Sequence, residues 1–163
     1  MNTTTTDVAA LRTAFSGFPC GVAAVAAVVD GVPQVLVASS FTVGVSQDPP
    51  LVMFAVQKSS STWPTLARAD ALGVSILGHD HKESTRQLAS KDKSVRFDGV
   101  AHVVRDSGAI LLQGAPIWLE TSVEHTYPAG DHDIIVLRVL SFHNDFSHEP
   151  LVWHRSELTA LVS

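Results

Sequence analysis

The sequence predicts a mainly β single domain, an antiparallel barrel or sandwich with a few short flanking helices, on three observations. Short apolar runs rich in Val, Ala and Ile recur at brief intervals, and Gly, Pro and Asp-Gly breaks separate them. Only brief helical stretches lie between these runs, whereas a doubly wound parallel sheet needs a helix after each strand. The 163 residues suit one core, and no internal repeat, linker or low-complexity tract divides them. The domain is expected to span residues 1–163, with 1–7 as a disordered tail.

Asp7 or Thr6 can cap a helix through Phe15, because Val8, Leu11 and Phe15 recur at spacings of three and four. Gly17, Pro19 and Gly21 stop it. Asp30-Gly31 then joins the strands Gly21–Val29 and Val32–Ser39 as a hairpin, since both central positions of such a turn favour left-handed backbone. Gln47-Asp48-Pro49-Pro50 breaks the chain before strand Leu51–Val56. Pro64 fits the first turn of a helix ending near Ala69. Ala71–Leu77 reads as a strand, the segment from about Asp80 to Ala89 as a polar-faced helix, and Lys91–Asp98 as an exposed charged loop. Strands follow at Val100–Arg105, Ala109–Leu112, Ile117–Tyr127 and Asp133–Phe142, with a last apolar piece at Leu151–Trp153.

With 45% hydrophobic and 17% charged residues, the chain can bury a core without staples, which excludes a disordered or disulfide-built protein. Eleven Lys and Arg against sixteen Asp and Glu give a net charge of −5, and no basic run is present to grip a phosphate backbone, so no nucleic-acid partner is expected. The single cysteine, Cys20, forms no internal disulfide and suits the cytoplasm. The N-terminus lacks a basic leader, and the longest apolar run, Val22–Val29, is far short of the ~20 residues that span a bilayer, so neither secretion nor membrane insertion is expected.

Chemistry concentrates at a few points. Strand Leu51–Val56 leads through Lys58-Ser59-Ser60-Ser61-Thr62 into a helix, and the free N–H groups of a helix start, an ammonium and four hydroxyls together can bind a phosphate. A helix cap from Ser61 or Thr62 beside a solvated Lys58 weighs equally. Ala38-Ser39-Ser40-Phe41-Thr42 puts hydroxyls at a strand end, where they can read a heteroaromatic edge or satisfy their own turn. Tyr127–Asp133 is a turn whose His132 lies between Asp131 and Asp133, and a structural turn is the weightier reading of it. His79-Asp80-His81 has no metal-ligand spacing and no metal is assigned; Cys20, Trp63, Trp118 and Trp153 are read as packing residues. No Walker or GxGxxG glycine pattern is present.

In their order and spacing these segments resemble the flavin reductase-like family, whose members have an FMN-binding split-barrel fold and serve two-component monooxygenases. The resemblance runs from Leu11 to about Arg155. It rests on Phe18-Pro19-Cys20-Gly21-Val22, Ala38–Thr42, Ser46-Gln47-Asp48-Pro49-Pro50-Leu51-Val52, Lys58–Thr62, Arg96-Phe97, Gly130-Asp131-His132 and Pro150–Arg155. It implies a Greek-key-like antiparallel barrel in which Ala38, Ser39, Ser40, Phe41 and Thr42 lie along the isoalloxazine, while Ser46 and Pro50 shape its pocket. Lys58, Ser59, Ser60, Ser61 and Thr62 would hold the ribityl phosphate. Arg96 and Phe97 would close the pocket with Ser90, from the second subunit of a homodimer; His132, and more weakly His154 and Arg155, would meet the nicotinamide nucleotide.

The implied activity is that of an NAD(P)H:flavin oxidoreductase. It takes a hydride from NADH or NADPH to FMN or FAD and supplies reduced flavin by diffusion to a separate monooxygenase, and no side chain need act as nucleophile or obligatory base. The alternatives are a flavin carrier or electron-transfer protein without reductase turnover, and a ligand-free β-barrel interaction domain. Cys20, Trp153 and Ser156 depart from the family's frequent Thr, Tyr and Gly.

Overall fold

A computed structural model of the chain describes residues 7–161. Helix α1 (Val8–Ser16) precedes a short β1 (Cys20–Gly21), the hairpin of β2 (Ala23–Val29) and β3 (Val32–Ala38), and the hairpin of β4 (Thr42–Gln47) and β5 (Pro50–Gln57). One helical turn, α2 (Trp63–Leu66), leads to β6 (Leu72–Ile76) and α3 (Lys82–Leu88). After these come β7 (His102–Val104), β8 (Ile110–Leu112), the long β9 (Ile117–Ala129) and β10 (His132–Asn144), then β11 (Leu151–His154) and β12 (Glu157–Ala160).

The main sheet has seven strands in the order β3-β2-β6-β9-β10-β5-β4, all paired antiparallel. It curls so that β3 approaches β5. There Ser40 takes the place of a ladder pair: its hydroxyl donates to the Ala55 carbonyl at 3.0 Å and accepts from the Ala55 amide at 2.9 Å. This is the split antiparallel barrel that the sequence led us to expect, joined across its seam by one side chain.

Inside the barrel, Ala23, Val25 and Ala27 of β2 pack with Val52, Phe54 and Val56 of β5 and with Leu72, Leu119 and Ile135. The opposite face of β2, through Ala24 and Ala26, packs against Leu77, Leu88, Ile110 and Leu151. Being buried on both faces is why Val22–Val29 reads as a continuous run of small apolar residues rather than an alternating one. Gly73 meets a close backbone crossing here, since a Cβ would lie 1.9 Å from the Ile110 carbonyl oxygen.

The Asp30-Gly31 hairpin forms as predicted, with both residues left-handed at φ 51° and 77°. Of the two cap candidates Asp7 caps α1, accepting from the Ala10 amide at 3.0 Å, and so is not part of the expected tail; residues 1–6 lie outside the described residues. Strand β4 was missed because Gly44, at φ 70°, interrupts its alternation and its register against β5 slips between Thr42 and Ser46. Strand β12 also escaped the sequence reading. The expected helix from Asp80 is a 3-10 turn, His79–His81, followed by α3.

His81 is a core residue: its Nδ1 accepts from the Gly78 amide at 3.0 Å, so its Nε2 donates to the Gln113 carbonyl at 2.8 Å. Burial pushes the Cys20 thiol above its ordinary pKa. Trp63 stands edge-on to Phe54 at 5.4 Å, and the Trp118 indole donates to the Leu112 carbonyl. Among the described residues no helix is long and apolar enough to cross a membrane, and no group of three His, Cys, Asp or Glu side chains is arranged to hold a metal ion.

Candidate functional site

A cleft of about 500 Å³ opens along the barrel seam. One wall is the end of β3 continuing through Ser39 and Ser40; the other is the end of β5 with the loop Ser60-Ser61-Thr62. Arg96 closes one end beside Leu88 and Ala89 of the α3 region, and His132 also lines the cleft from the start of β10. Leu36, Val37, Ala38, Ala55 and Val56 belong to the strands that border it, and none of its lining residues is a carboxylate.

Arg96 is half-buried and held from three directions. Its Nε donates to the Ser90 carbonyl at 2.7 Å, and its Nη1 donates to the Val35 carbonyl at 3.0 Å and to the Thr62 hydroxyl at 2.9 Å. Among the described residues Nη2 has no acceptor, so the guanidinium keeps donors for a ligand. Burial pulls its pKa below the ordinary value, yet a guanidinium stays charged under such a shift. Lys93 adds a second cation beside the loop, its ammonium donating to the Ser61 carbonyl at 2.9 Å.

Ser60 is the residue that caps α2, accepting from the Thr62 and Trp63 amides at 3.3 and 3.1 Å. Because α2 is a single turn, its dipole is small, and the positive field expected from a helix start comes instead from Arg96 and Lys93. Such a donor set, with no carboxylate among the lining residues, fits a phosphate, and the strand ends beside it offer hydroxyls and backbone groups to the edge of an aromatic ring.

Eight of the residues singled out from the sequence meet in this cleft: Ala38, Ser39, Ser40, Ser60, Ser61, Thr62, Arg96 and His132. Others lie outside its lining. Phe41 packs inward on the barrel core, and Thr42 begins β4. Ser46 and Pro50 pair with Leu51 and Gln47 at the far end of the β4–β5 hairpin. Lys58 turns to the β9–β10 turn, donating its ammonium to the Gly130 carbonyl at 2.8 Å, and Ser59 bonds Gln57. Ser90 contributes its carbonyl to Arg96, while Phe97 packs on the outer cluster against His102. Arg96 lines the cleft of its own chain. His154 faces Glu157 across the tight turn made by Arg155 and Ser156, away from the cleft lining.

His132 is paired with Asp131: its Nδ1 lies 2.6 Å from Oδ1. This bond and the adjacent charge hold the Asp131 carboxyl below its ordinary pKa. Gln57 and Lys93 were not found from the sequence; Lys93 stands only three residues before Arg96 in a charged loop, which is too weak a signal to separate it from solvated neighbours.

Residues 15–161 match the family described as the flavin reductase like domain. The chain belongs to this family. A flavin reductase of Pseudomonas putida is 31% identical over 145 residues, covering 88% of this chain and 84% of that protein. The actinorhodin polyketide dimerase of Streptomyces coelicolor is 35% identical over 158 residues, covering 96% and 88%. The flavin-dependent monooxygenase reductase subunit HsaB of Rhodococcus jostii is 28% identical over 155 residues, covering 95% and 78%. Among solved structures, the NADH:FAD oxidoreductase SgcE6 of Streptomyces globisporus superposes with a TM-score of 0.91 at 30% identity, covering 100% of this chain and 98% of that one. SgcE6 has also been solved with NAD and FAD fragments. The family member described here thus shares the whole split-barrel domain with a nicotinamide-dependent flavin oxidoreductase.

Proposed function

We infer that this family member is an NAD(P)H-dependent flavin reductase, and the observation that carries the inference is the seam cleft, cationic at Arg96, rich in hydroxyl and amide groups and reached by His132. Arg96, Ser60, Ser61 and Thr62 hold the phosphate of FMN, or the nearer phosphate of FAD, through N–H and hydroxyl donors. Ala38, Ser39 and Ser40 border the ring, where hydroxyls and strand-end amides can meet its polar edge. His132 receives the nicotinamide nucleotide, NADH or NADPH. When bound, the flavin supplies the redox chemistry as acceptor of the nicotinamide's hydride. The protein's own work is to hold the two rings together at the barrel seam.

We assign the reduced flavin to a separate monooxygenase reached by diffusion; the monooxygenase reductase subunit among the relatives supports this. A homodimer in the cytoplasm completes the reading. Its support is apolar surface left uncovered by one chain: α1 buries none of its residues, Phe15 within it and Phe18 just after it stand exposed, and Val43 and Val45 of β4 face solvent.

The test is oxidation of NADH and NADPH followed with FMN, FAD and riboflavin added in turn. Flavin-dependent oxidation of at least one nucleotide is expected. Flavin binding with no oxidation of either would make the protein a carrier instead.

A further inference from the structure

Residues 90–98, which follow α3, bring Arg96 to its end of the cleft, and their own backbone bonds hold it loosely. The Arg96 amide reaches the Lys93 carbonyl only at 3.5 Å, and the Asp98 amide donates to the Val95 carbonyl at 3.1 Å. A firmer hold comes from a side chain of α3. The side-chain amide of Gln87 donates to the carbonyls of Val95 and Asp98 at 2.8 and 2.5 Å, and the Arg96 carbonyl lies 3.5 Å from the same nitrogen.

Gln87 reaches Arg96 by a second route as well. Its backbone carbonyl accepts from the Ser90 amide at 3.0 Å, and the Ser90 carbonyl accepts from Arg96 Nε at 2.7 Å. Backbone and guanidinium of the arginine are thus both tied to one residue of a helix whose next residue, Leu88, is buried in the outer core. Gln87 does not line the cleft, so it serves Arg96 without meeting the ligand.

A primary amide is the group this place requires. Three carbonyl oxygens converge on its nitrogen, which calls for a neutral donor with two hydrogens. An arginine side chain has many rotamers, and a ligand that must first immobilise one binds more weakly. Arg96 commits Nε and Nη1 to Ser90, Val35 and Thr62 and keeps Nη2 for a ligand. A backbone shift of about 1 Å at its root would disturb those bonds and the aim of Nη2 together.

We propose that Gln87 is a positioning residue: its amide fixes the 95–98 turn so that Arg96 presents its free guanidinium edge to the flavin phosphate. The identity of the phosphate rests on the reductase reading, while the hold on Arg96 rests on the geometry alone.

The experiment uses the full chain, ligand-free and then titrated with FMN and with riboflavin. Nitrogen-15 spectra of the arginine side chains report the Nε–H of Arg96, identified by its loss in Arg96→Met. That signal is expected to stand apart from those of the exposed arginines in the unaltered protein and to merge with them in Gln87→Met. Gln87→Met should raise the FMN Kd about tenfold and the riboflavin Kd less than about twofold. In an Arg96→Met background it should change FMN affinity by less than about twofold, because its effect passes through the arginine. Gln87→Asn, which withdraws the amide by one methylene, should weaken FMN about threefold and spare riboflavin. The proposal is overturned if Gln87→Met leaves either the Arg96 signal or the FMN Kd as it was, if both variants weaken the two flavins alike, or if the loss persists in full without Arg96. Should FMN bind the unaltered protein no better than riboflavin, the phosphate reading fails, and the nitrogen spectrum still decides whether Gln87 holds Arg96.

Discussion

Arg96 and His132 serve the same cleft but are built differently. Arg96 is half-buried, and its bonds go to Ser90, Val35 and Thr62, so a loop, a strand of the barrel and a helix start all fix one guanidinium. His132 stands on a two-residue turn, and its partner Asp131 is 95% exposed. Exposed ion pairs add little to folding. The Asp131 contact therefore matters for where a ring nitrogen points more than for stability. A rigid cation suits a phosphate that always binds the same way, and an imidazole on an open turn suits a second ligand that must arrive and leave.

Breaking the rigid end should have the larger effect. Arg96→Met is expected to weaken FMN binding roughly a hundredfold, since charged hydrogen bonds are worth about 1.5–3 kcal/mol. Riboflavin binding should barely change, and calorimetric titration of both flavins reads the difference. His132→Ala acts on the open end: the KM for NADH should rise about tenfold while FMN affinity stays level, as steady-state rates and titration together would show. A His132→Ala enzyme with unaltered NADH dependence would remove that residue from the nucleotide site.

Acid should separate the two ends as well. Between pH 7.5 and 5.5, FMN affinity should fall by about threefold, because the phosphate loses its second charge near pH 6 while Arg96 keeps its own. Riboflavin affinity should stay flat over that range. Asp131 responds lower down. Its folded pKa lies below the ordinary value, so the stability its pairing contributes is present above the ordinary carboxylate range and is lost as pH falls below it. The difference in urea midpoint between the unaltered protein and Asp131→Asn should accordingly hold from pH 7 to 5 and shrink below about pH 4.

The smallest effect is a control outside both ends. Arg155 and Ser156 make the β11–β12 turn at φ 51° and 62°, a left-handed backbone that favours glycine. Ser156→Gly should raise stability by about 0.5–1 kcal/mol, seen as a few degrees in Tm, and should move neither the FMN Kd nor the NADH KM.

Much of the barrel was legible because local chemistry decides it. Asp30-Gly31 fixes its hairpin by backbone preference alone, and β5 shows as an apolar run between a Pro turn and a hydroxyl-rich loop. Strand β4 was not legible, because a left-handed glycine and a slipped register leave no regular alternation to read. The site divides in the same way. Ser60, Ser61, Thr62 and His132 stand in short segments whose composition already suggests chemistry, whereas Arg96 was placed by resemblance alone. Its contact with Val35 spans 61 residues of sequence, which no local pattern records. Lys58 reads beside four hydroxyls as an anion ligand, and what no local pattern records is that its ammonium donates to a carbonyl 72 residues away.

The central claim is that a flavin phosphate sits on Arg96 at the barrel seam. Titrating the unaltered protein with FMN and with riboflavin tests it most directly. FMN should bind at least about tenfold more tightly, and Arg96→Met should abolish that preference. Equal affinity for the two flavins in the unaltered protein would contradict it.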